Sequence, residues 1–187
     1  MSNILLVSAT KLEHHDEELY GHDIYITGVG KVAAALRVKS LIEGYKLAHG
    51  CKPSKIINFG SCGNLQDHKV GEVLEVGTVW DNFYTGNTGI PPHSSIKVSD
   101  SGISLFTTDL FYDSSQKYHE SSTYYLNRCD LVDMEGYSIA KVCKQENISV
   151  SLYKWVSDDG SHNDWLANAA IGYSNFKTLF KERYVQK

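Results

Sequence analysis

Arginine is scarce in this chain of 187 residues, occurring only at Arg37, Arg128 and Arg183. The lysines are scattered and the formal net charge is -4, so there is no basic stripe to hold a nucleic acid. The four cysteines, Cys51, Cys62, Cys129 and Cys143, have no CxxC spacing, which argues against a zinc ribbon or a disulfide framework and for reduced, mostly buried thiols. Long apolar runs are missing too. Ile4-Leu5-Leu6-Val7 is too short for a secretory core or a membrane span, and the expectation is a soluble, cytoplasmic protein. There are no repeats and no linker-like stretch, so one domain over 1–187 is expected.

What is present alternates. Residues 4–8, 56–59, 73–79, 103–107 and 150–156 read as strands, and 23–27 as an alternating one. Helical patterns run over 31–45, with Val32, Ala35, Leu36, Leu41, Ile42 and Tyr45 on related faces, and over 134–146. A third covers 164–184, carrying Trp165, Ala169, Tyr173, Phe176 and Phe180, with Asn163 as its N-cap. Strands alternating with helices predict an α/β layered domain with a largely parallel or mixed sheet. The stretch 82–101, rich in Gly, Ser, Thr, Asn and Pro, reads as one long irregular loop near a site or a subunit contact.

Three short motifs carry polar residues where hydrophobic segments end: Gly60-Ser61-Cys62-Gly63, Val132-Asp133-Met134-Glu135-Gly136 and Val156-Ser157-Asp158. The first predicts a sharp turn aiming N–H groups and the Ser61 hydroxyl into a crevice, or else an ordinary glycine turn. Glu135 sits in apolar surroundings at a helix start, where a carboxylate needs partners. It reads as a capping acid or as an acceptor for two vicinal hydroxyls. Asp158 reads as a turn aspartate or an acid, with Asp159 beside it as the natural control.

Two other runs are weaker. Gly28-Val29-Gly30-Lys31-Val32-Ala33 fits a loose dinucleotide fingerprint, but Ile56-Ile57-Asn58-Phe59-Gly60 supplies no acidic residue for a ribose, so a tight strand-to-helix turn is preferred. Glu13-His14-His15-Asp16-Glu17-Glu18 has metal-ligand chemistry, yet adjacent residues cannot all face one ion, and a solvated acidic helix start explains it better.

Taken in order, these residues resemble the purine nucleoside phosphorylase and nucleosidase superfamily, most closely the 5'-methylthioadenosine/S-adenosylhomocysteine nucleosidases and futalosine hydrolases. Ala9-Thr10 with Glu13 is similar to the opening turn of that family, and the Gly28 block to its GIGKVNAA-like segment. Ile57-Asn58-Phe59-Gly60-Ser61 is similar to "INTGS", Thr108-Asp109-Leu110-Phe111 to the base-stacking loop, 132–136 to "VEMEA" and Ser157-Asp158 to the catalytic "SD". The resemblance implies a three-layer phosphorylase/hydrolase-like fold, a central mixed β-sheet flanked by helices. It also implies a nucleoside substrate, no cofactor or metal, and a homodimer in which Phe83-Tyr84 reaches the partner's site.

The resemblance assigns roles. Asp158 is the general acid toward purine N7, supported by Ser157, and Glu13 positions and deprotonates the attacking water with Ser61 as auxiliary. Glu135 holds the ribose hydroxyls, Met134 lines the ribose and Phe111 stacks on the base. Phosphorylases of the superfamily place arginines where this chain has Thr10, Lys11, Glu13 and Asn58, so hydrolysis is expected over phosphorolysis. The alternatives are a phosphate-dependent phosphorylase and a non-catalytic nucleoside-binding or storage protein. Asp133, Tyr137 and Lys154 depart from the family pattern, and the chain is shorter than usual between Glu13 and Gly28 and within 82–101.

Overall fold

The computed structural model describes residues 3–82 and 93–185. Phe83-Tyr84, expected to reach a partner, lies outside the described residues. The strands are β1 (Ile4–Ser8), β2 (Glu18–Leu19), β3 (His22–Ile26), β4 (Lys55–Asn64), β5 (Val73–Asn82), β6 (His93–Lys97), β7 (Ile103–Thr107), β8 (Leu131–Asp133) and β9 (Ser149–Asp158). The helices are α1 (Lys31–His49), α2 (Glu120–Leu126), α3 (Gly136–Glu146), α4 (His162–Asn168) and α5 (Tyr173–Phe180).

Among the described residues the nine strands join one mixed sheet, in the order β2-β3-β1-β4-β8-β7-β5-β6 with β9 off this path. β9 pairs in parallel with β4 and antiparallel with β5, so β4, β8, β7, β5 and β9 close into a ring. Side chains alternate across the pleat. On one face Leu5, Val7 and Ile56 pack with Ala34, Val38 and Ile42 of α1 and Ile139 and Cys143 of α3. On the other Leu6, Ile57, Phe59, Tyr153 and Trp155 pack with Tyr173, Phe176 and Phe180 of α5. This is the expected layering of helices on a mixed sheet.

Several expectations are corrected. The apolar face of α1 is built from Ala34, Val38 and Ile42, whereas Val32 and Leu36 point to solvent. Residues 60–63 do not turn sharply; β4 continues through them to Asn64, paired residue by residue with β9 until a bulge at Cys62/Gly63. Within 82–101, residues 93–97 form β6, paired with β5. The C-terminal helix is broken. α4 ends at Asn168 and α5 starts at Tyr173, because the Ala169 carbonyl accepts the Trp155 indole N–H at 2.8 Å and a Cβ at Gly172 would overlap the Trp155 ring. Ser161, not Asn163, caps α4, its Oγ accepting Asp164 N–H at 3.3 Å. The short elements β2, β8 and α2 carry too few residues to show a period in the sequence.

Candidate active site

Gly63 is the register partner of both Val132 on β8 and Asp158 on β9. Strand pairing therefore lays the three sequence motifs side by side, although they are far apart in the chain. They surround one cavity of about 290 Å³, whose lining includes Thr10, Glu13, Ser61, Phe111, Met134, Glu135 and Asp158. Ser157 is fully buried behind Asp158.

Glu13 reaches the cavity from a single 3-10 turn over Lys11–Glu13, formed because Thr10-x-x-Glu13 makes a capping box. Its Oε2 accepts Ser8 Oγ–H at 2.6 Å, Ala9 N–H at 3.0 Å and Thr10 N–H at 3.3 Å. Its Oε1 accepts Ser61 N–H at 2.7 Å and Ser61 Oγ–H at 2.8 Å. Gly60 makes room for this approach, since a Cβ there would lie 2.5 Å from Oε1. The rest of the acidic run is drawn apart: His14 packs against Phe59 and Tyr173, and Asp16 accepts from Tyr173 and Lys177. Among the described residues no His, Cys, Asp and Glu group is placed to hold a metal ion.

Asp158 ends β9, with Oδ1 accepting Gly160 N–H at 2.9 Å. Burial pushes its carboxyl above the usual range, against the hydrogen bonds from Ser157 and Gly160, and Asp159 and Asp164 push the same way as burial. Ser157 Oγ lies 3.0 Å from the Cys62 carbonyl and 2.7 Å from Asp158 Oδ2. A hydroxyl has one proton. If it serves the carbonyl, the short contact to Asp158 is completed by a proton on the carboxyl itself. Asp159 is exposed.

Glu135 does not cap its own helix. Its Oε1 accepts Gly30 N–H at 2.8 Å, from the turn before α1, while Asp133 Oδ2 accepts Gly136 N–H at 2.8 Å at the start of α3. Burial, with Asp133 adding to it, pushes the Glu135 carboxyl up to about 8, in spite of Lys154 and the Gly30 bond. Lys154 Nζ pairs with Asp133 Oδ2 at 2.9 Å, both side chains being almost wholly buried. Burial works against the lysine charge, but Asp133, Glu135 and Glu13 around it hold it protonated.

Phe111, from the segment after β7, meets His162 edge-on at 5.4 Å and Trp165 at 6.1 Å, and these two α4 rings lie 5.5 Å apart. The sequence pattern sets Trp165 on a helical stripe with Ala169, Tyr173, Phe176 and Phe180 and gives His162 no role. Lys154 and Asp133 were visible only as departures from a pattern. The signal for Lys154 was a charged residue inside the apolar strand Leu152-Tyr153-Lys154-Trp155-Val156.

No family model matches the chain. It is 26% identical over 168 residues to the 5'-methylthioadenosine/S-adenosylhomocysteine nucleosidase of Buchnera aphidicola, covering 76% of this chain and 70% of the relative. It is 26% identical over 195 residues to the enzyme of the same name from Bacillus thuringiensis, covering 85% and 80%. The fold is similar to the Helicobacter pylori 5'-methylthioadenosine/S-adenosylhomocysteine nucleosidase solved with butyl-thio-DADMe-Immucillin-A, at a TM-score of 0.72 and 18% identity over 96% of this chain and 97% of that one. It is equally similar to native futalosine hydrolase of the same organism, with a TM-score of 0.72 and 18% identity over 94% and 95%.

Proposed function

We propose that this chain, which by sequence and fold falls within the purine nucleoside phosphorylase and nucleosidase superfamily, acts as a single domain that hydrolyses the N-glycosidic bond of a purine nucleoside. The substrate class is a 5'-modified adenosine such as 5'-methylthioadenosine or S-adenosylhomocysteine, which the relatives carry in their names.

One observation carries this reading: two carboxyl groups, Asp158 and Glu13, line one cavity and reach it from different elements. Asp158 is buried with a raised affinity for its proton, and Glu13 is an acceptor surrounded by five donor contacts. Asp158 donates its proton to purine N7 as the C1'–N9 electrons pass to the base, which leaves neutral. The water oxygen bonds to C1' and gives up a proton on the Glu13 side, where Thr10 N–H at 3.3 Å is the longest of the donor contacts and the first to yield. Glu135 takes the ribose hydroxyls, Met134 lines the sugar, and buried carboxylates favour the developing oxocarbenium charge.

Water is preferred to phosphate because no lysine or arginine is among the described residues lining the cavity, and Lys154 is committed to Asp133. A dianion needs charged, forked donors. For assembly we read a homodimer. Val32 and Leu36, one turn apart on α1, are 73% and 68% exposed, and Val29 at the cavity is 54% exposed. Exposed apolar residues on one helix, with Val29 also lining the cavity, suit a second copy of the chain.

The test is product analysis with adenosine, inosine, 5'-methylthioadenosine, S-adenosylhomocysteine, futalosine and deoxyadenosine, each with and without phosphate. Free base and free sugar without phosphate support the reading. A sugar 1-phosphate formed only with phosphate makes the protein a phosphorylase.

A further inference from the structure

Trp165 stands one turn into α4, the helix that follows directly on the Asp158 strand end. Its indole Nε1–H donates to Ser61 Oγ at 3.0 Å, and Ser61 Oγ–H donates to Glu13 Oε1 at 2.8 Å. An indole N–H can only donate, and the Glu13 oxygens already accept from Ser8, Ala9, Thr10 and the Ser61 N–H, so the direction of this chain of bonds is fixed. The serine hydroxyl has one proton and two acceptor sites. With the indole on one acceptor site and the proton on Glu13, a single acceptor site remains for the cavity. Without the indole, the hydroxyl is free to turn toward any other acceptor that enters.

We propose that Trp165 is a positioning residue for the nucleosidase reaction: its indole N–H orients the Ser61 hydroxyl and thereby holds the Glu13 carboxylate on the nucleophile side of the sugar. The inference rests on the function proposed above. It also ties the two halves of the site together. The acid, Asp158, and the indole that aligns the opposite side belong to one continuous segment, and the Trp165 ring shares the wall of the cavity with Phe111 and His162. Trp165 is only half-buried, so replacing it with phenylalanine keeps an aromatic wall and removes the donor.

The experiment is a double-mutant cycle on 5'-methylthioadenosine, comparing the unaltered protein, Trp165→Phe, Ser61→Ala and the double variant by adenine release, with thermal midpoints for all four. Loss of one hydrogen bond predicts a kcat about three- to tenfold lower in Trp165→Phe, with a smaller change in KM. In the Ser61→Ala background the same change has no further effect on kcat, because the hydroxyl it acts through is gone. A purely structural role lowers kcat by the same factor in both backgrounds, and that result overturns the proposal, as does an unchanged kcat in Trp165→Phe. If the unaltered protein releases no base from any nucleoside of the panel above, the nucleosidase reading falls and this role with it. Turnover with additive losses removes the Trp165 role alone.

Discussion

Glu135 carries the clearest residue-scale consequence. Its folded carboxyl is pushed up to about 8 by burial, while a free glutamate titrates at about 4.3. Between those values the folded protein holds a proton that the unfolded chain has lost. The folded state therefore binds more protons, and stability falls as pH rises through this window. Glu135→Gln keeps the shape and removes the titration. Its melting temperature relative to the unaltered protein should be higher at pH 8 and converge at pH 4.5, with roughly 2–4 °C for each kcal/mol recovered. A gap of the same size at both pH values contradicts the assignment. The same proton bears on activity. In the proposed reaction the ribose hydroxyls donate to Glu135, so its competent form is the ionised one, and kcat/KM should rise with pH on its acid limb. In Glu135→Gln the part of that limb due to Glu135 should disappear, while the decline as Asp158 ionises remains.

At the scale of elements, the break between α4 and α5 is a packing event. Gly172 lies against Trp155, whose indole holds the Ala169 carbonyl at 2.8 Å. Gly172→Ala, a helix-favouring change by propensity, should instead cost about 1–3 kcal/mol through overpacking, read from the denaturant midpoint. A neutral or stabilising result means that the helix break has another cause. The 3.6-residue pattern of Trp165, Ala169, Tyr173, Phe176 and Phe180 was legible in the sequence, but the Trp155 contact that interrupts it is a long-range one that no periodicity reports. For the same reason Val32 and Leu36 read as core by pattern, while Ala34, Val38 and Ile42 do the packing. β2, β6 and β8 were not found, while the other six strands were nearly in place because their apolar runs or alternation show in the sequence. Their ends were cut short at Gly60 and Val156, where small and polar residues replace the run but ladder pairing continues. Ser61 and Asp158 stand on those ends and line the cavity, and motif order rather than propensity singled them out together with Glu13 and Glu135, which line the same cavity from other segments. Trp165 was missed as part of the site because its hydrogen bond to Ser61 spans two elements.

For the whole molecule, closure of β4, β8, β7, β5 and β9 into a ring explains how short motifs spread along the chain meet at one cavity. Gly63 pairs with both Val132 and Asp158, so the cavity is built by strand register, with the flanking segments adding its walls. No helix among the described residues is long and apolar enough to cross a membrane. The apolar patch on α1 makes a prediction at this scale. Sedimentation should find a dimer that Leu36→Glu converts to monomer, and an unaltered protein that sediments only as a monomer removes the homodimer.

The proposed reaction turns on Asp158 supplying the proton that frees the base. Adenine release from 5'-methylthioadenosine in phosphate-free buffer, measured for the unaltered protein, Asp158→Asn and Asp159→Asn, tests it most directly. The expected results are turnover without phosphate, a loss of roughly a hundredfold or more in Asp158→Asn with ligand still bound, and a mild effect in Asp159→Asn. An active Asp158→Asn, or a loss that falls on Asp159→Asn instead, contradicts this role for Asp158.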